Sequence, residues 1–331
     1  MPANTNRQKS LISIRSTALV CCIGLTAVGL GCSHSSFATS AAVAAACASP
    51  LPKADLVTAW QANTGLGVVD SATGKGHAIP GTKGFGPEAV ALSRDRCKIA
   101  FGSESLVWPG QKMPGGVFTV NIDGSGLRLI PHLNTGIGFS AISWSPDDRS
   151  VAVVNMSGYL LVASLRGELQ GYKFPTSGYA GGSFVGWGGP SQVLVLGSKL
   201  SSPSRGWDVI SLGSGGSRTV VLKSNAVPAG AITANDFAVS NDFRSVLVSV
   251  SGAGQRPWSL VRVSLSTHRA SMLVSSEPVA NAVWAADSLS IAFLLLSQAT
   301  HSTAPIHILG AGRERVLPRG PADPALGLAW G

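Results

Sequence analysis

The feature that most constrains this chain is a short turn, Trp144-Ser145-Pro146-Asp147-Asp148-Arg149, feeding the alternating run Ser150-Val151-Ala152-Val153-Val154. A tight polar turn followed by a period-two apolar run is a hairpin signal. Looser copies recur at Ala91-Leu92-Ser93-Arg94-Asp95, Gly186-Trp187-Gly188-Gly189-Pro190, Ala238-Val239-Ser240-Asn241-Asp242 and Val283-Trp284-Ala285-Ala286-Asp287. A half-copy, Ala329-Trp330-Gly331, stands at the C-terminal end. The copies are roughly 43 to 52 residues apart, the spacing of four-stranded propeller blades.

Each copy has the same internal order. A second strand follows the turn, as in Lys98-Ile99-Ala100-Phe101, then a variable loop, a third strand ending in a turn, and a closing strand such as Arg218-Thr219-Val220-Val221-Leu222. Five complete units result. The stretch 54–79 supplies a unit lacking its first strand, and Ala325-Leu326-Gly327-Leu328-Ala329-Trp330 supplies a first strand lacking its unit. Pairing them makes a sixth blade and removes two open sheet edges. The expected fold is therefore all-β, a six-bladed propeller of four-stranded antiparallel blades over 54–331, its last blade closed by N- and C-terminal strands.

Composition agrees. Only 12% of the 331 residues are charged and 40 are glycine, which suits short strands and many turns. No window beyond residue 55 keeps a helical apolar period over three turns without a Gly or Pro.

The first 31 residues differ in kind. Arg7, Lys9 and Arg15 precede an uncharged run over 16–31, a pattern that predicts a secretory signal and an exported protein. The run falls short of the roughly 20 apolar residues a spanning helix needs. Two processing routes are open. Gly29-Leu30-Gly31-Cys32 resembles a bacterial lipobox, with Gly29 and Leu30 departing from its usual residues, and would place a lipid on Cys32. Cleavage at Ser36-Phe37-Ala38 or Ala42-Val43-Ala44 is the alternative. The lipoprotein is favoured, with 32–53 as an Ala/Ser/Pro-rich tether. Losing Arg7, Lys9 and Arg15 lowers the net charge from +9 to +6. That charge keeps a weakly charged surface soluble and suits anionic envelope polymers or lipid headgroups. Without Lys/Arg runs or an RNA-binding aromatic motif, nucleic acid is not an expected partner.

The Trp-Ser-Pro-Asp turn, the Ile-Ala-Phe strand and the turn at Asp123-Gly124 resemble the TolB-like propeller repeat. The resemblance is strongest at Trp144 to Asp148 and partial at Ser93-Arg94-Asp95 and Ser240-Asn241-Asp242. It implies six blades, export, and binding of proteins or envelope components without catalysis. TolB's separate N-terminal α/β domain is not expected, since only the tether precedes the first strand.

Trp144, Trp187, Trp284 and Trp330 fall at equivalent positions and are expected to pack between blades. Asp147 should cap its turn, and Asp123-Gly124-Ser125-Gly126 reads as a hairpin turn, not a calcium loop. Cys47 and Cys97 are a candidate disulfide in an oxidising compartment; about seven extended residues, spanning roughly 23 Å, let them meet. No nucleophile elbow, His-Glu-x-x-His or Cys-x-x-Cys occurs, so no enzyme, metal or cofactor is predicted. His132 and His301, with Glu88, Glu104 and Asp236, fall on the side where the loops gather. Partner binding is expected there, through Trp108, Lys112, His132, Lys199, Arg205 and Arg256. Trp108-Pro109-Gly110-Gln111-Lys112 sets an aromatic beside a cation in the longest loop.

The sequence thus predicts a monomeric, exported, lipid-anchored propeller of the cell envelope or periplasm, binding a protein or an anionic glycan or lipid surface. A secreted propeller hydrolase or lyase with its site at the channel mouth is the alternative class, and a polysaccharide-binding module is a third.

Overall fold

Short runs rich in Val, Ile and Leu form strands here, and turns built from Gly, Asp, Asn and Ser end them. The computed structural model describes residues 49–59, 65–103, 106–108, 111–113, 115–134, 138–171, 174, 178–200, 206–213, 217–227, 231–252, 259–275, 277–295, 305–317 and 327–330.

Blade 1 begins with β1 (Asp55–Ala59), β2 (Leu66–Asp70) and β3 (Gly76–Ala78). Blade 2 opens with β4 (Pro87–Leu92) and β5 (Lys98–Ser103), inserts a hairpin of β6 (Leu106–Trp108) and β7 (Gln111–Met113), and ends with β8 (Gly116–Asn121) and β9 (Arg128–Leu129). Blade 3 comprises β10 (Phe139–Trp144), β11 (Ser150–Asn155), β12 (Leu160–Ser164) and β13 (Leu169–Gly171). In blade 4 are β14 (Tyr179–Gly189), β15 (Gln192–Lys199), β16 (Trp207–Gly213) and β17 (Arg218–Lys223). Blade 5 holds β18 (Ala231–Val239), β19 (Ser245–Gly252), β20 (Ser259–Ser264) and β21 (Ala270–Ser275). Blade 6 holds β22 (Val279–Trp284), β23 (Ile291–Leu295), β24 (Ile306–Gly310) and β25 (Arg313–Val316). The last strand, β26 (Leu328–Ala329), returns to blade 1.

Every blade is a four-stranded antiparallel meander, and blade 1 has the order β26-β1-β2-β3. Its seam pairs Val57 with Ala329 and Thr58 with Leu328. The ring is therefore closed as the repeat predicted, by strands from the two ends of the chain. The hairpin β6–β7, where the sequence suggested only a loop, is a separate two-stranded sheet. Among the described residues no helix is long and apolar enough to cross a membrane.

The core lies between neighbouring blades. One cluster joins Ala89, Ala91 and Ala100 of blade 2 to Phe139, Trp144, Val151 and Val153 of blade 3, and the others repeat this pattern around the ring. Close approach of the innermost strands is permitted by a missing side chain at Gly186 of blade 4. A Cβ there would stand 2.5 Å from Val239 Cγ2 of blade 5.

The tryptophans pin this packing. Trp144 Nε1 donates to Ala91 O of the preceding blade at 3.0 Å. Trp187 Nε1 reaches Ser143 O, and Trp284 Nε1 reaches Ala238 O, each at 3.3 Å. Trp330 Nε1 donates at 3.0 Å to Lys53 O, just ahead of β1. All four rings are buried. They are structural staples, as their periodicity suggested.

Candidate functional site: the central channel and its mouths

The antiparallel meander sorts the connections onto two faces. Turns after the first and third strands of each blade share one face. The longer connections after the second and fourth strands share the other, the loop face. The innermost strands β4, β10, β14, β18, β22 and β26 wall a central channel of about 230 Å³.

On the turn face, a Ser-x-Asp motif builds the first turns of blades 2, 3 and 5 by hydrogen bonds. Ser145 Oγ donates to Asp147 Oδ1 at 2.6 Å, and the Arg149 and Ser150 amides donate to Asp147 Oδ1 and Ser145 Oγ. Ser93 with Asp95 and Ser240 with Asp242 repeat this arrangement. Asp147 therefore caps its turn, and the Ser145 hydroxyl holds its carboxyl below the usual carboxylate range. The fourth residue of each such turn, and of the Ala285-Ala286-Asp287-Ser288 turn of blade 6, has positive φ: Arg96 61°, Asp148 55°, Phe243 59° and Ser288 56°. That conformation swings its side chain toward the preceding blade. Asp148 accepts from the Arg94 and Asp95 amides at 2.7 and 2.9 Å, and Ser288 Oγ accepts from the Asp242 amide at 3.1 Å. Buried Arg96 donates to Leu51 O, Pro52 O and Asp55 O at 2.7–2.8 Å.

Inside the channel the innermost strands carry bulges. Register shifts occur in β4, β10, β14, β18 and β22, the distortion that re-aims side chains beside sites. Glu88 and Asp236 arise here, from blades facing each other across the ring. Glu88 Oε2 accepts from the Phe139 amide of blade 3 at 3.0 Å. Gly138 makes room for it, because a Cβ there would lie 2.6 Å from Glu88 Oε2. Asp236 accepts from its neighbour's Phe237 amide at 2.8 Å and from the Ala282 amide of blade 6. Burial nonetheless pushes the Asp236 carboxyl up to about 6, against the two hydrogen bonds. Both carboxylates thus clamp one innermost strand to the next.

The predicted binding residues sort differently. Trp108 and Lys112 lie on the β6–β7 hairpin, where Trp108 pairs with Gln111 and Val107 with Lys112. His132 is exposed in the connection from β9 to β10, with φ 64°. Lys199 is not a lone cation: its Nζ lies 2.9 Å from Asp208 Oδ1, and Tyr179 donates its hydroxyl to Asp208 Oδ2 at 2.7 Å. Burial and that hydrogen bond push the Tyr179 hydroxyl up to about 12. Arg205, Arg256, His301, Glu104, Cys32 and Cys47 lie outside the described residues. Cys97 is disulfide-bonded. Among the described residues no group of three or more His, Cys, Asp or Glu side chains is placed to hold a metal ion.

One arrangement escaped the sequence reading. Arg94, in the first turn of blade 2, lays its guanidinium over the Phe243 ring of blade 5, with Cζ 5.5 Å from the centroid. Both residues line the channel. Repeat alignment gives the positions of these two residues but not their partnership, because equivalent positions in other blades carry other residue types.

Six antiparallel four-stranded blades, sealed by a strand shared between the chain's ends, make this protein a six-bladed β-propeller. Its fold is similar to that of TolB from Acinetobacter baumannii (TM-score 0.62, 11% identity, covering 83% of this chain and 66% of that one). A chain of the nidogen/laminin complex is similar too (TM-score 0.61, 9% identity, covering 83% and 97%). This chain therefore spans just under two thirds of the TolB chain. No protein family and no curated protein matches by sequence.

Proposed function

We propose that this protein is an exported, lipid-anchored, non-catalytic propeller of the cell envelope that binds a protein or an anionic envelope component at its loop face. The observation that carries this reading is the channel, walled by innermost strands from all six blades. A rigid ring presenting loops around a partly polar well is a recognition scaffold. Similar folds support it: one such chain is part of the nidogen/laminin complex, and TolB shares the six-bladed ring. Trp108 and Lys112 are the proposed contacts, held on a paired hairpin that limits the ordering cost of binding. The titration of Asp236 near 6 is of the kind an acid–base site uses, yet both its oxygens are occupied by backbone donors of the ring.

The test is capture from the protein's own envelope extract, comparing the wild-type chain with Trp108→Ala/Lys112→Ala. A specific protein or glycan retained by the wild type and lost from the variant is the expected outcome. Equal retention by both overturns the loop-face assignment. Export is also consistent with the oxidised state of Cys97. We propose Cys47 as its partner. A non-reduced digest should yield a peptide linking Cys47 to Cys97, and alkylation of Cys97 without reductant would exclude it.

A further inference from the structure

We propose that the turn-face mouth of the channel is a carboxylate-binding gate, formed by Arg94 resting on Phe243 and opened by an acidic peptide segment. The six blades form a ring in chain order, so blades 2 and 5 stand opposite one another. A contact from the Arg94 guanidinium to the Phe243 ring therefore crosses the channel instead of joining neighbours, and it lies across that mouth.

Both ends of the contact are anchored. The Arg94 amide donates to Asp148 at 2.7 Å. The Phe243 amide donates to Ser240 O at 2.9 Å, and its ring packs with the cluster containing Val185 and Trp187. Only the Arg94 side chain is exposed and able to swing.

Its charge is unanswered. Among the described residues no carboxylate lies within 4.0 Å of the guanidinium. The two nearest in sequence and turn are engaged elsewhere: Asp95 with the Ser93 hydroxyl and the Cys97 amide, Asp148 with the two backbone amides. A guanidinium stacked on an aromatic face keeps its edge N–H groups available, and that edge matches a carboxylate bidentately. A cation–π contact at an exposed site is the weaker of the two interactions, so a carboxylate can draw the guanidinium off the ring. Glu88 and Asp236 lie deeper toward the loop face and repel an anion, which confines the carboxylate to the Arg94 end.

This inference stands independently of what the loop face binds. The probes are three capped peptides added to the full-length protein: Ac-Gly-Glu-Gly-NH2, Ac-Gly-Gly-Gly-OH and Ac-Gly-Gln-Gly-NH2. The readout is the Arg94 side-chain Nε–Hε resonance. A saturable shift with either carboxylate peptide and none with the glutamine peptide is expected; which carboxylate peptide acts distinguishes a side-chain from a C-terminal ligand. Arg94→Gln should melt within a few degrees of wild type and bind the active peptide at least about tenfold more weakly, as followed by tryptophan fluorescence. Arg94→Lys, charged but lacking the fork, should fall between. No shift up to about 10 mM peptide, an equal response to the glutamine peptide, or wild-type affinity in Arg94→Gln overturns the gate.

Discussion

Asp236 sits wholly within the channel wall, with one oxygen on the Phe237 amide and the other on the Ala282 amide of the next blade. Burial raises its carboxyl to about 6, so the folded state favours the protonated form. An acid whose pKa is raised on folding gives stability that is complete below its unfolded value and lost as pH rises through the folded one. For Asp236 that window runs from 3.8 to about 6. The loss across it is on the order of 2–3 kcal/mol. Asp236→Asn should abolish this component, so the stability difference between wild type and variant, followed by urea melts from pH 4 to 7, should shrink or reverse by that amount. A constant difference would show that the carboxyl does not titrate in the fold. Asp123 and Asp147 act in the opposite sense: hydrogen bonds from Ser125 and Ser145 lower their pKa values, and their contribution disappears only in stronger acid.

At the scale of elements, the repeated turn does two jobs. Its serine and aspartate close the hairpin, and its fourth residue, at positive φ, reaches back to the preceding blade. Arg96 shows how strongly one side chain can couple two blades, since it satisfies three carbonyls leading into β1. A lysine has the charge but not the planar fork. Arg96→Lys should therefore cost about 2–4 kcal/mol, given two lost charge-assisted hydrogen bonds and buried carbonyls left bare. Limited proteolysis should cleave before Asp55 faster in this variant; an unchanged rate would mean that the segment is held by other contacts. The serine–aspartate half of the turn was legible in the sequence because the same hairpin chemistry recurs in blades 2, 3 and 5. The fourth position was not. Arg, Asp, Phe and Ser stand there in turn, and each solves a local contact with whatever its neighbour offers.

For the molecule as a whole, blade count and closure could be read from periodicity alone, since an unpaired first strand and a unit missing one must meet. The channel could not. Bulges, the Glu88 and Asp236 clamps, and Arg94 over Phe243 depend on which strands lie opposite or adjacent in space, which no local pattern encodes. The hairpin β6–β7 was likewise missed, because Pro109-Gly110 reads as loop and the flanking strands have three residues each. Closure itself is testable by deleting 327–331. The deletion removes the buried Leu328 and Trp330 and exposes the edge of β1. A loss of about 4 kcal/mol or more is expected, read as a melting temperature lower by roughly 10 °C. Wild-type stability in the truncation would mean that the seam is dispensable. The direction of the seam has a mechanical meaning as well. Because β26 runs antiparallel to β1, the end of β26 near Trp330 lies beside the start of β1 near Lys53, 277 positions away in sequence. Tension applied between those two points loads the Trp330 indole bond first and then the two paired residues one after another. The ring would unzip under force instead of resisting in shear, making this seam its tear line.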